Sequence, residues 1–431
     1  MPNFLQNPAE PGPKVSQAVA DVATRLWGAM RRALDEAVPA PQSMTSLREQ
    51  LGLDKTLASR VGRAARSPDA MEAMSLGPGA PGYRLLVDRL RHRSPSSANV
   101  EALSSAIDDL ELAYTFFPDG KRGFDAAMSG WVPQSRQRGE RRARQQIYQA
   151  TLFLMGVEVD VAYQAYVYWP SAQRKGMADL GFVEVRQDVQ RASNGGRAIL
   201  TGVPYIIPGA GGLIGDERVE TLSGQCPTDD AQIALLPEFC TSPMPALQTH
   251  ARAGALQLVT AGDTPQIGQR LTSTVAVIGR NIERQRRRGS DREHSQNSIA
   301  LRKPVRLLVV DVLICDPLEF AAPRVTVSAV GAGPPPRWPD DDDLGALNQS
   351  LEFVSLGRHN SSDLSPLASP EVAKVPQLLT RLISAAKAPI QTFRAYRLCI
   401  EYPIPHARHV VWVELPAPEN HAPNPAGPTA Q

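Results

Sequence analysis

Lys55, Thr56, Ser59, Arg60, Arg63 and Arg66 are polar or basic residues spaced by one, three or four positions. All six donate hydrogen bonds, and four carry a fixed positive charge. Such groups held along one side of a helix suit phosphate oxygens and the acceptor edges of bases. The chemistry they imply is recognition of a polyanion.

To present that side, the other side of the segment must be anchored. Leu47 and Leu51 form an inward face of one short helix, and Ala58 and Val61 an inward face of the next. Gly52 supplies a residue free to take positive φ between them. Leu53 plugs the corner, and Asp54 is placed to cap the second helix at its first amides. Ser46 with Glu49 has the spacing of a capping box for the first helix. From Arg48 to Arg66 five basic side chains stand against two acidic ones, a local charge of +3.

The pattern at Leu47, Leu51, Gly52, Leu53, Ala58 and Val61 resembles the helix-turn-helix of bacterial transcription regulators. The resemblance covers about twenty residues, Ser46 to Arg66, and implies a DNA-binding module whose reading helix begins at Lys55. The remainder of the chain is similar to uncharacterised bacterial proteins that pair such a module with a long unassigned region. The implied contacts are direct readout by Lys55, Thr56, Ser59 and Arg60, with Arg63 and Arg66 nearer the DNA backbone.

The chain has 431 residues, 42% hydrophobic and 21% charged, which predicts a globular protein of two or three domains. Its net charge is only +2, so affinity for nucleic acid must reside in local patches. Further basic stretches occur at Arg84–Arg93, Arg136–Arg144 and Arg284–Arg288; each suits either phosphate or a solvated face. Four cysteines without metal or redox spacing form no disulfide framework. Cys315 and Cys399 lie in apolar runs that predict buried thiols. No signal peptide or membrane-length apolar run is visible, and a cytoplasmic location is expected.

Periodicity predicts an α+β multidomain protein. A disordered leader at 1–14 precedes an all-helical domain at 15–120 that contains the helix-turn-helix (46–66). Within it, Ser67 and Pro68 have the pattern of a helix start, and Leu85, Leu86 and Leu90 that of a buried stripe. A long connecting helix spans 121–156, and Ile147, Ala150, Thr151 and Leu154 predict its buried face.

Residues 157–416 form the α+β effector or assembly region, with a mainly antiparallel sheet. Strands are expected at Val157–Tyr168, Leu180–Val189, Ala253–Ala261, Leu271–Gly279, Arg306–Cys315, Val325–Val330, Tyr396–Tyr402 and His409–Leu415. A helix is expected at Val372–Ala386, loops at 284–297 and 331–349, and a disordered tail at 417–431.

Gly209–Gly215 lacks the Gly-Lys-Ser/Thr ending of a P-loop and reads as a flexible loop. His406 and His409 lack a third ligand nearby, and Asp340–Asp343 lacks the calcium-loop pattern. No catalytic or metal-binding residue and no cofactor is therefore expected. The expected partner is double-stranded DNA, with no membrane; a small-molecule effector and a homodimer are also admitted. Two other classes stay open: an enzyme of unknown reaction with a helical appendage, and a non-catalytic assembly protein.

Overall fold

Val19, Ala23, Leu26, Met30 and Leu34 recur at steps of three and four and wind α1 (Pro13–Ala37) with one apolar side inward. The computed structural model describes residues 13–38, 43–93, 97–174, 177–192, 199–204, 218–226, 231–252, 255–260, 265–282, 285–286, 293–329, 347, 349, 351–388 and 391–415. They form two units, Met1–Glu140 and Arg141–Gln431. The expected leader and tail, Gly209–Gly215 and Asp340–Asp343 lie outside the described residues, apart from Pro13 and Lys14 at the start of α1.

In the helical unit α1 is followed by α2 (Met44–Leu51), α3 (Lys55–Arg66), α4 (Ala70–Leu76), α5 (Ala80–Arg93), α6 (Ala98–Tyr114), α7 (Lys121–Trp131) and the first part of α8 (Pro133–Met155). α1 packs along α6 and α4. Leu103, Ile107 and Leu110 of α6 share its core.

Asp69, not Ser67, caps α4, accepting from the Glu72 amide at 2.8 Å. The Ser67 hydroxyl is used instead on the Glu72 carboxylate, at 2.8 Å. Leu85 is exposed, because α5 turns Tyr83, Leu86, Val87 and Leu90 inward. The helical unit runs past residue 120. α7 is a separate helix, and its Phe124 and Met128, with Val132, enter the helical core. Phe124 meets the Tyr114 ring edge-on at 5.0 Å.

The predicted buried stripe of α8 is also overturned. Leu154 is 81% exposed and Phe153 85%, while Ile147 is 41% exposed; Ala150 is exposed too. The buried side carries Arg144 and Tyr148 instead. Polar partners decide this: Arg144 donates to the Glu401 carbonyl at 3.1 Å, and the Tyr148 hydroxyl bonds the Glu158 carboxylate. The Tyr148 ring also packs on Tyr402, with centroids 5.2 Å apart.

The second unit contains β1 (Val157–Pro170), β2 (Ala178–Arg191), β3 (Ile199–Pro204), β4 (Arg218–Thr221), β5 (Leu247–Arg252), β6 (Ala255–Thr260) and β7 (Leu271–Ile282). β8 (Gln285–Arg286), β9 (Glu293–Ala300), β10 (Val305–Cys315), β11 (Arg324–Ala329) and β12 (Val354–Asn360) follow. α9 (Val375–Ala385), β13 (Thr392–Glu401) and β14 (Ala407–Leu415) complete it.

A seven-stranded sheet has the order β12-β13-β10-β1-β2-β7-β4. β1 and β10 run parallel at its centre, and its other pairs are antiparallel. A four-stranded sheet is ordered β11-β14-β9-β8, and a three-stranded one β3-β6-β5. The fold is thus a helical unit followed by an α+β unit with a mainly antiparallel sheet. The continuous apolar run of β10 suits its central position, buried on both faces.

Neighbouring residues of β1 point to opposite faces and define the layers. Tyr168 reaches the four-stranded sheet, its hydroxyl bonded to Ser295 at 3.1 Å and to the Asn297 amide at 2.6 Å. Trp169, on the other face, meets α9 across Gly181. A Cβ there would lie 2.7 Å from Leu382 Cδ2 and 2.9 Å from Trp169 Cζ3, so this crossing needs glycine.

The loop expected at 284–297 is instead partly strand: 285–286 form β8 and Glu293–Ala300 forms β9. β9 is polar because its ladder partners come from β14 and its side chains bond Tyr168. β14 belongs to this second sheet and not to the seven-stranded one. Cys399 is exposed, whereas Cys315 is buried as expected. Among the loop residues 331–349 only 347 and 349 are described.

Candidate nucleic-acid interface

Leu47, Leu51, Leu53, Ala58 and Val61 are all buried, joined by Leu57, Gly62, Ala64 and Ala65. This apolar side fixes α3 against the rest of the helical unit. Gly52 adopts φ 62° and its amide donates to the Arg48 carbonyl at 2.9 Å, ending α2 and reversing the chain. Asp54 then accepts from the amides of Thr56 at 2.7 Å and Leu57 at 2.9 Å.

The cap of α2 differs from expectation. Ser43 starts that helix by accepting from the Ser46 amide at 3.0 Å. Ser46 therefore lies inside the helix, and Ser46 with Glu49 is not its capping box. The helix begins earlier because Ser43 stands one residue before Met44 in extended geometry.

With one side of α3 anchored, Lys55, Thr56, Arg60, Arg63 and Arg66 are exposed and Ser59 is half-buried. α3 contains no acidic residue. The six residues singled out by spacing thus share the outward side of one capped helix. Arg63 reaches back to the Ser59 carbonyl at 3.4 Å. Asp54 already occupies the first amides of α3, so anion contact falls to side chains rather than to the helix terminus. Arg48 is exposed on α2, a further cation that spacing alone left unassigned.

Removing the cap loosens this geometry. Asp54→Ala is expected to lower stability by about 1 kcal/mol. Urea unfolding of the full chain checks it, and an unshifted midpoint would contradict the cap.

The other basic stretches are largely engaged within their own units. Arg84 pairs with Asp108 and with Glu111, the latter at 2.8 Å. Arg91 pairs with Glu101 at 3.0 Å. Arg93 donates to the carbonyls of Ala37 at 2.9 Å and Gln50 at 3.0 Å, tying the end of α2 to the end of α1. Arg136 pairs with Glu140 at 2.8 Å, and Arg138 donates to the Ser75 hydroxyl at 3.2 Å. Arg141 pairs with Glu401. Of Arg284–Arg288, only 285–286 are described, as strand.

Among the described carboxylate, His, Lys and Arg side chains of the α+β unit, Asp311 and His409 are the most deeply buried. Asp311 accepts two bonds from Arg397, at 2.7 and 2.8 Å, and one from the Tyr163 hydroxyl at 3.0 Å. Burial pushes the Asp311 carboxyl above its ordinary range, and Arg397 and Tyr163 pull against it. Burial, reinforced by the charge of Arg144, pushes the His409 imidazole down to about 4. No group of three His, Cys, Asp or Glu side chains suited to a metal ion occurs among the described residues. Nor is any described helix long and apolar enough to cross a membrane.

Neither a protein-family model nor a curated protein matches this chain.

Proposed function

We propose that the chain is a DNA-binding transcription regulator of the cytoplasm, in which α3 enters the major groove. The observation that supports this reading most is the outward side of α3: Lys55, Thr56, Arg60, Arg63 and Arg66 exposed on a helix with no acidic residue. Lys55, Thr56, Ser59 and Arg60, in its first half, would meet base edges. Arg63 and Arg66, towards its end, would meet phosphates. The α+β unit would sense an effector or assemble the protein.

Arg60→Ala is expected to weaken binding to a selected duplex by about 1–3 kcal/mol. Phosphate contact by several side chains also requires affinity to fall steeply with salt. Both are read by fluorescence anisotropy on a duplex chosen by selection from a random pool. Equal affinities for the two proteins would remove Arg60 from the interface, and a salt-independent affinity would remove DNA as the partner of α3.

A further inference from the structure

β12 is an edge strand of the seven-stranded sheet, and its pairing with β13 slips by one residue between Ser355 and Gly357. Leu356 is the extra residue, and Gly357 takes φ 94°, a backbone angle that favours glycine. In unbroken register Arg358 would stand opposite Phe393. After the bulge it stands opposite Arg394, on the same face of the sheet. Like charges directly opposite each other on neighbouring strands are destabilising, so this pair calls for a counter-charge.

One carboxylate meets the pair, and it fits poorly. Asp316, in the 3-10 turn Asp316–Leu318 after β10, brings Oδ1 to 3.6 Å from Arg358 Nε and 3.5 Å from Arg394 Nε. Both are ion-pair distances, too long for good hydrogen bonds. Arg394 Nη2 and Asp316 Oδ1 are buried and make no hydrogen bond among the described residues. Two guanidinium charges against one carboxylate leave the trio positive. Guarding an edge strand explains a bulge and Arg358. It does not explain Arg394, which lies on the inner strand β13 with its side chain 23% exposed.

We propose that Arg358 and Arg394 form a binding site for a small carboxylate, which sits between the two guanidinium groups in place of Asp316. A guanidinium fork matches a carboxylate through two parallel hydrogen bonds. The single excess positive charge calls for a monoanion, whereas a phosphate dianion would be repelled by Asp316 without full compensation. The Asp316 side chain is 31% exposed, so on displacement its orphaned oxygen turns to water. The site lies within the α+β unit and is measured without DNA, so its failure leaves the reading of α3 standing, and the reverse.

Titration of the full chain with acetate, at ionic strength held constant with chloride, tests it through the NMR signals of the arginine Nε–H groups. Inorganic phosphate is the second probe. Acetate is expected to move two of these signals saturably, with a dissociation constant of about 10 mM, as befits so small a ligand. Arg358→Gln and Arg394→Gln should each weaken binding roughly tenfold, and Asp316→Asn, which removes the internal competitor, should tighten it roughly tenfold. A purely structural ion trio predicts no such tightening. Arg358 is exposed on an edge strand, so Arg358→Gln keeps the test open should Arg394→Gln fail to fold. Shifts that stay linear with acetate in the wild-type protein overturn the site, and so does saturation unchanged by Arg358→Gln. Phosphate binding more tightly than acetate overturns the choice of a carboxylate.

Discussion

Replacing Arg397 by alanine is expected to cost the α+β unit about 3–5 kcal/mol. Asp311 lies in the central strand β10, 1% exposed, and Arg397 stands directly opposite it on β13. Arg397 also donates to the carbonyls of Leu367 at 2.7 Å and Ala368 at 3.4 Å, holding the segment before α9. Without the guanidinium, Asp311 keeps its burial and the Tyr163 hydroxyl but loses its opposing charge.

The carboxyl is already pushed up by burial, so the variant would hold a proton there through a wider pH range. A group whose folded pKa is raised loses its contribution as pH rises, so the deficit of Arg397→Ala should grow from acid towards neutral pH. Paired replacement by Asp311→Leu and Arg397→Met removes both charges and should recover much of the loss. Urea unfolding of the single and the double variant against wild type measures this. Equal destabilisation of the single and double variants would show that the cost lies in packing rather than in an uncompensated carboxylate.

Acid is expected to weaken the same unit through His409. Its imidazole is pushed down to about 4, against an ordinary value of 6.5. Between those values the unfolded chain binds a proton that the folded chain refuses. Stability is therefore full above about pH 6.5 and falls as pH drops towards 4, by about 3 kcal/mol in all. His409→Gln removes the titrating ring. The difference in unfolding free energy between wild type and His409→Gln should then narrow steadily across that window. Parallel pH profiles would assign the acid loss to carboxylates elsewhere. The cause of the shift lies in the architecture: β14 places His409 inside the unit, and Arg144 of α8 adds a like charge.

The segment from Leu47 to Arg66 was almost fully legible because its determinants are local. Gly52 reverses the chain by its own φ, Asp54 caps amides two and three residues ahead, and the 3.6-residue repeat sorts Ala58 and Val61 inward from Arg60 and Arg63 outward. The same holds for β1 and β10, whose apolar side chains need only a sheet on either side.

Where a residue's fate depends on a distant partner, spacing alone misleads. Ile147, Ala150 and Leu154 carry the repeat of a buried stripe, yet Arg144 and Tyr148 find Glu401 and Glu158 and turn α8 the other way. Arg93 looks like a phosphate ligand until the carbonyls of Ala37 and Gln50 are brought within its reach. β9 is too polar to read as a strand, but β14 supplies its ladder and Tyr168 its side-chain bonds. Local order follows from a few neighbouring residues and their dihedral preferences. Burial, and with it the choice between core, ion pair and free surface, follows from contacts such as Asp311 with Arg397, 86 residues apart, which exist only once the sheets have assembled.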